Sequence, residues 1–135
     1  MPRFNNARDL ERHLKKALDA LQAEVIITTQ AELGSTKVSP YDTGRFRSSW
    51  FAAEGSASSD VASEGTDSPN TDATGLRVDA SKEYHLTNSL PYSQRLCLED
   101  YAVSQPKNWF HDFRNSRIPR IQDAAARVVK QQYEL

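Results

Sequence analysis

The sequence has 135 residues, and its 17 basic and 18 acidic side chains give a formal net charge of -1. This balance speaks against a protein whose main role is to grip nucleic acid, since such proteins usually carry a clear basic excess. The length suits one domain, the single cysteine excludes an internal disulfide, and no apolar run reaches the roughly 20 residues that cross a bilayer.

The clearest predicted element is a long N-terminal helix. Asn6 is a suitable N-cap residue and Gly34 a plausible C-terminal stop. A helix over residues 7–33 would be roughly 40 Å long, so we expect it to project beyond the core of so small a domain. A β-branched run would permit an earlier end near Thr28. The apolar stripe at helical spacing consists of Leu10, Leu14, Leu18, Leu21, Val25 and Ile26.

A turn, short strands and an acidic segment follow. Pro40 and the Asp-Thr-Gly of residues 42–44 predict a turn, and residues 49–53 predict the start of a strand. Residues 52–75 carry five acidic side chains, no basic one and a single large aliphatic residue. Such a segment buries too little apolar surface to offset the ordering of its backbone, so we predict a mobile acidic loop between two strands of a lengthened hairpin. Residues 76–81 and 83–89 show the partial alternation of short strands.

The C-terminal third is predicted to be mostly helical. Residues 89–101 suit a helix, residues 103–113 read as irregular and rich in aromatics, and a last helix begins near Ser116 with Pro119 in its first turn. The order of elements predicts an α+β fold, in which a small antiparallel sheet is flanked by the long N-terminal helix and the C-terminal helix. The inner stripe of the last helix is predicted to be Ile118, Ile121, Ala125 and Val128, with Gln132 as a further candidate.

The search for chemistry yields no catalytic, cofactor or metal site. His13, His85 and His111 fall on three different elements, and no other Cys or His lies at zinc-site spacing. No glycine-rich phosphate loop is present. Cys97 lies between two leucines, where a buried and inert thiol is expected. The chain is therefore predicted not to be an enzyme.

Two rival functions stay open. Asp79, Glu83 and His85 resemble the acidic clusters of metal-dependent nucleases, although a turn at a strand end explains them as well. Arg45 and Arg47 could contact phosphates while Trp50 stacks on a base, as in a nucleic-acid-binding adaptor. The alternative is that Phe46 and Trp50 are core or interface anchors and that the two arginines pair with acids of a neighbouring subunit.

Two segments carry a resemblance to a known family. Residues 39–50, "SPYDTGRFRSSW", resemble the Pro-x-Asp-Thr-Gly-Arg-Leu-Arg-x-Ser signature of the small tail-completion and neck proteins of tailed bacteriophages, often labelled minor tail protein Z-like or head–tail joining. Residues 88–110, "NSLPYSQRLCLEDYAVSQPKNWF", are similar to that family's Asn-x-x-Pro-Tyr-Ala-x-Arg-Leu-Glu-x-Gly segment with its following Ser-x-Gln-x-Pro. Ser93 stands where alanine is usual and Cys97 where glutamate is expected. We call these segments the first and the second signature segment.

The resemblance implies a structural role without catalysis or cofactor. Family members form a ring, commonly a hexamer and alternatively a dodecamer, between the phage neck and the tail tube. The expected partners are copies of the chain itself, the connector or stopper proteins of the neck and the tail tube protein. Genome DNA would pass through the channel without specific binding.

The resemblance also implies a location and a set of interface residues. We expect assembly in the host cytoplasm, a final place in the virion and no membrane contact. The first ten residues lack the apolar segment of a signal peptide, which agrees with this expectation of a soluble protein. The acidic loop would either line the channel, where it would repel DNA phosphates, or contact a neighbouring protein. The predicted subunit interface, rich in aromatics and arginine, consists of Asp42, Arg45, Phe46, Arg47, Trp50, Tyr92, Arg95, Trp109 and Phe110.

Overall fold

The computed structural model describes residues 3–39, 44–98 and 108–135. Helix α1 (Ala7–Leu33) is followed by strand β1 (Trp50–Glu54), a single 3-10 turn (Asp72–Gly75) and strand β2 (Tyr84–Asn88). Helix α2 (Ser93–Leu98), the short helix α3 (Trp109–Asp112), a π-helical turn (Phe113–Arg117) and helix α4 (Ile118–Gln132) complete the order. A long N-terminal helix, a two-stranded antiparallel sheet and a C-terminal helix confirm the predicted α+β class.

Helix α1 has the predicted bounds. The Asn6 side chain accepts a hydrogen bond from the Asp9 backbone N–H at 2.9 Å, and the Gly34 N–H closes the last turn on Gln30 O at 3.0 Å. The β-branched run does not end the helix early, because Ile26 and Thr29 are buried. Tertiary packing of that face outweighs the weak helix propensity of these residues.

The sheet is a hairpin with a very long connection. β1 pairs with β2 in a register that places Trp50 opposite Asn88 and Glu54 opposite Tyr84, so residues 55–83 join the two strands. The acidic segment predicted at residues 52–75 lies in a lengthened hairpin as expected, except that its first three residues form the end of β1. We call residues 55–75 the acidic connection.

The predicted strand at residues 76–81 is wrong. Side chains of α1 and β2 accept hydrogen bonds from N–H groups that a strand would donate to a neighbouring strand. Asp19 Oδ1 accepts from the Ala80 N–H at 2.8 Å, and the Tyr84 hydroxyl accepts from the Asp79 N–H at 2.7 Å. An extended segment held by side chains in this way forms no strand pair.

Helices α1 and α4 run antiparallel along each other. Near the start of α4, Arg117 makes a two-pronged contact with Glu32, at 2.6 Å and 2.9 Å. Beyond its other end, the Tyr133 carbonyl lies 2.7 Å from His13 Nε2, so His13 contacts the residue that follows α4. The ion pair and the histidine contact fix the register of the two helices.

The inner face of α4 differs from the predicted one at two positions. Ile121 and Ala125 are buried as predicted, but Val128 is 51% exposed with Val129 buried in its place, and the further candidate Gln132 is exposed. Helix α4 begins two residues after the predicted start near Ser116, with Pro119 in its first turn as predicted. It continues a helical run that already begins at Trp109, within the stretch predicted to be irregular, through the π-helical turn.

The core lies where α1, β1 and the C-terminal helices meet. Because the β1–β2 hairpin is too small to be stable by itself, the helices that cover it supply most of the apolar contact. The buried cluster consists of Leu33, Phe46, Trp50, Leu90, Trp109, Phe113 and Ile121.

Candidate functional site

The described part of the first signature segment folds as a compact turn before β1. The Ser48 N–H and hydroxyl both donate to Gly44 O, at 3.1 Å and 2.8 Å, and the Ser49 hydroxyl donates to Arg45 O at 2.7 Å. Gly44 has φ +86°, and a Cβ atom there would lie 2.0 Å from Asp67 Oδ1. Both its conformation and its surroundings therefore require glycine. The predicted interface residue Asp42 lies outside the described residues.

The two arginines of this segment bind acceptors within their own chain. Arg47 donates to Gly34 O at 2.9 Å, to Asp67 Oδ1 at 2.9 Å and to the Asp67 carbonyl. Arg45 Nε donates to Ala62 O at 2.8 Å. Within the chain these donors hold the acidic connection against the end of α1, whereas their contact with acids of a neighbouring subunit stays a prediction.

Three of the five aromatic residues assigned to a subunit interface are core residues. Phe46, Trp50 and Trp109 are only 4%, 4% and 6% exposed, so they do not offer their rings to another molecule. Phe46 packs edge-on against both tryptophans, at centroid distances of 5.7 Å and 6.2 Å. The core alternative is thus confirmed for Phe46 and Trp50, and Trp109 is also a core residue. Phe110 is half-buried, stacked on Trp50 at 6.1 Å.

The second signature segment packs directly on the first. Asn88 Nδ2 donates to Phe46 O at 2.8 Å, and Leu90 is buried in the same cluster. Trp109 joins this body from the far side, with its indole N–H donating to Leu96 O at 2.7 Å. Two segments that are separate in sequence therefore build one structural unit.

Two predicted interface residues of the second segment lie at the surface. Tyr92 is 38% exposed and Arg95 is exposed, on the part of the chain that leads from β2 into α2. Their placement leaves them accessible to a partner, whereas the buried aromatics are not.

The acidic connection packs against the rest of the protein, although its composition predicted too little apolar burial for that. Ala62 and Ala73 are buried, and two of its four acids contact the rest of the protein. Asp67 pairs with Arg47 at 2.9 Å, and Asp72 Oδ1 accepts from the Ala52 N–H at 3.1 Å. Hydrogen bonds replace the apolar burial that the segment lacks.

A buried amide joins α1 to this connection. Gln30 is 2% exposed, and its Nε2 donates to Trp50 O at 3.0 Å and to Asp72 Oδ1. Its Oε1 accepts from the Ala73 N–H at 3.0 Å. Sequence reasoning missed Gln30, although one signal was available: position 30 lies on the same buried helix face as Ile26 and Leu33.

Asp79 of the rival nuclease hypothesis is held by hydrogen bonds from a nearby residue. The Asp79 carboxylate accepts from the Ser81 hydroxyl and N–H, at 2.7 Å and 2.9 Å, and these bonds lower its pKa to about 2. Glu83 Oε1 lies 3.7 Å from His85 Nε2.

Burial raises the pKa of the Cys97 thiol to about 12, so the thiolate is scarce at neutral pH.

The described part of the chain shows neither a group of metal ligands nor a membrane-spanning helix. Among residues 3–39, 44–98 and 108–135, no three His, Cys, Asp or Glu side chains are grouped so that they could hold a metal ion. Within those ranges, no helix combines the length and apolar character that a membrane span requires.

No family model, curated protein or solved structure matches this chain.

Proposed function

We propose that this chain is a structural subunit of the neck of a tailed bacteriophage. Copies of it form a ring, a hexamer in the first instance, that completes the tail and docks on the connector or stopper proteins of the head. It works by assembly in the virion, without turnover and without a cofactor. Genome DNA passes through its channel without sequence-specific contact.

The convergence of the two signature segments is the observation that carries this proposal. Each segment by itself is a short pattern, but Asn88 of the second donates to Phe46 of the first, and Trp109 packs edge-on against the same phenylalanine. A chance similarity has no reason to involve residues that share one core. This convergence favours a common structural basis for the resemblance.

The chemistry of the segment favours the structural role over the nucleic-acid adaptor. Phosphate contacts need guanidinium groups that are free to reach a ligand. Arg47 is only 14% exposed and donates to Gly34 O and Asp67, while Arg45 donates to Ala62 O. The Trp50 ring, which would have to stack on a base, is in the core.

The experiment is a deletion of the gene in a phage that carries it, followed by electron microscopy of the lysate. We expect filled heads and separate tails that fail to join, and recovery of joined particles when the chain is supplied from a plasmid. Antibody against a tag on the supplied chain should label the head–tail junction. Normal virions after deletion, or label elsewhere on the particle, would contradict the proposal.

A further inference from the structure

The hydrogen bonds of the β1–β2 hairpin show which backbone groups face away from it. The Gly55 N–H donates to Glu83 O at 2.8 Å, so these two residues form a hydrogen-bonded pair of the antiparallel ladder. Bonded and non-bonded pairs alternate along such a ladder. The odd-numbered residues of both strands therefore bond across the hairpin, and the even-numbered ones direct their N–H and C=O groups outward.

Side chains of the same chain close the outer edge of β1. Gln30 Nε2 donates to Trp50 O at 3.0 Å, and the Ala52 N–H donates to Asp72 Oδ1 at 3.1 Å. Both strand residues are even-numbered, in agreement with the alternation of the ladder. These contacts take up groups that a further strand would need on this side.

The outer edge of β2 is open by comparison. Its outward backbone groups belong to Tyr84, Leu86 and Asn88. Over the described residues, no hydrogen bond reaches the backbone N–H or C=O group of any of these three. A row of unpaired backbone groups on an edge strand is a template for another extended segment.

Strand β2 also lacks the features that keep an edge strand from pairing. Residues 84–88, "YHLTN", contain no Lys, Arg, Asp, Glu or Pro, and the register runs through consecutive pairs without a bulge. Charged side chains, prolines and bulges are the usual protection of a free edge. Its five residues make a strand of ordinary length. The sequence of β2 therefore favours an edge that is used for pairing.

An apolar cavity of about 370 Å³ borders the same strand. Tyr84 and Leu86 line it together with Val25 of α1 and with Phe110 and Ile118 of the C-terminal helices. Alternate residues of a strand lie on one face, so Tyr84 and Leu86 share the face that these helices cover. A strand added to β2 would place its own alternate side chains beside this cavity. The segment that fits is extended and carries an apolar side chain opposite Leu86.

Strand β2 of a second copy has this chemistry. Its outward groups are spaced evenly about Leu86, so two β2 strands can run antiparallel with Leu86 opposite Leu86 and Tyr84 opposite Asn88 of the second copy. Each of these pairs then consists of two outward-facing residues, and each exchanges two backbone hydrogen bonds. The edge is therefore complementary to itself in this register.

We propose that two copies of the chain join through β2, antiparallel about a two-fold axis at Leu86, so that the two hairpins form one continuous sheet. The Leu86 side chains pack on each other beside the two cavities. Such a contact is complete after two copies, so it differs from the head-to-tail contact of a ring and does not rest on the proposed neck function.

Disulfide cross-linking of the full-length chain tests the pairing and its register. In the proposed dimer His85 lies opposite Thr87 of the second copy in a non-bonded pair, where Cα atoms are about 4.5 Å apart and within reach of a disulfide. His85→Cys mixed with Thr87→Cys should give a cross-linked heterodimer under mild oxidation. Either variant by itself should stay largely monomeric on a non-reducing gel, and these single-variant samples also contain any contribution of Cys97. The matched control mixes His85→Cys with Ser59→Cys, an exposed position of the acidic connection, and should give no more product than the single variants.

Sedimentation velocity tests the same contact without a covalent bond. The unaltered chain should form a dimer in a concentration-dependent manner. Leu86→Lys places two like charges directly opposite each other at the two-fold axis and should weaken dimerisation at least about tenfold. The matched control is Val128→Lys, which adds the same charge at an exposed α4 position and should dimerise as the unaltered chain does. Urea midpoints close to that of the unaltered chain establish that both variants are folded.

Three results would overturn the proposal. One is an unaltered chain that stays monomeric at every concentration measured. The second is a mixture of the two cysteine variants that forms no more cross-linked product than each variant does by itself, which would mean that the copies meet elsewhere or in another register. The third is normal dimerisation of Leu86→Lys. All of these measurements use the purified chain, so their outcome is independent of whether the chain joins heads to tails.

Discussion

Replacing Gln30 by methionine should destabilise the protein more than replacing any other polar residue of α1. Methionine matches the length of the glutamine side chain but cannot hydrogen-bond in the same way. The change leaves the Trp50 carbonyl and the Ala73 N–H without the partners that hold them in the buried region. Asp72 loses one donor as well but keeps the Ala52 N–H.

The size of the effect follows from these groups. A buried donor or acceptor left without a partner costs about 1–3 kcal/mol, so two of them give a loss of about 2–4 kcal/mol after partial relaxation. That loss is a large share of a typical stability of roughly 5–15 kcal/mol. With a urea m-value of about 2 kcal/mol/M, the midpoint should fall by about 1–2 M.

Urea unfolding followed by tryptophan fluorescence measures the shift, because Trp50 and Trp109 are both buried. The matched control is Gln22→Met on the same helix, since Gln22 is half-buried and makes no hydrogen bond within the described residues. It should change the free energy of unfolding by less than about 0.5 kcal/mol. A Gln30→Met loss no larger than that of the control would refute the assigned role of the amide.

Three further predictions concern the backbone, the thiol and pH. Gly55→Ala should cost about 1 kcal/mol because of its positive φ, and Gly44→Ala should cost at least about 2 kcal/mol more because its Cβ would also strike a carboxylate; equal urea midpoints would contradict this. Alkylation of Cys97 at pH 8 should be at least about 100-fold slower in the native protein than in urea, since burial suppresses the thiolate; equal rates would mean that the thiol is accessible. The pKa of Asp79 is lowered to about 2, so its stabilising effect is present above its ordinary pKa of 3.8 and is lost as pH falls toward 2. Ser81→Ala removes the largest cause of that shift and should raise the Asp79 pKa toward 3.8 in an NMR titration, whereas an unchanged value would rule the hydroxyl out.

Local signals in the sequence predicted the elements whose causes are local. Asn6 and Gly34 fixed both ends of α1, and the order of elements led to the α+β class. The strand expected at residues 76–81 failed because Asp19, some 60 residues earlier, takes one of its N–H groups. No periodicity within the segment carries that information.

The candidate site was harder to predict than the fold. Aromatic and arginine residues are enriched at interfaces, but the same residue types fill cores and clamp loops, and composition does not separate the two. Phe46 and Trp50 turned out to be core, and Arg47 a clamp. The sequence located a segment that packs in the core, but it assigned Phe46 and Trp50 to a subunit interface, whereas both rings are buried within their own chain.

The way in which the arginines hold the acidic connection explains how so polar a segment keeps a fixed path. Arg45 binds the Ala62 carbonyl, and Arg47 binds the carbonyls of Gly34 and Asp67. A hydrogen bond from a charged donor contributes about 1.5–3 kcal/mol, more than a neutral one, and it needs no apolar surface from the segment itself. Because most of these acceptors are main-chain atoms, the path of the connection depends little on which side chains it carries. The connection should therefore keep its path when its exposed side chains are changed, and Arg47→Lys, which loses the two-pronged guanidinium contact, should release it where Asp67→Asn should not.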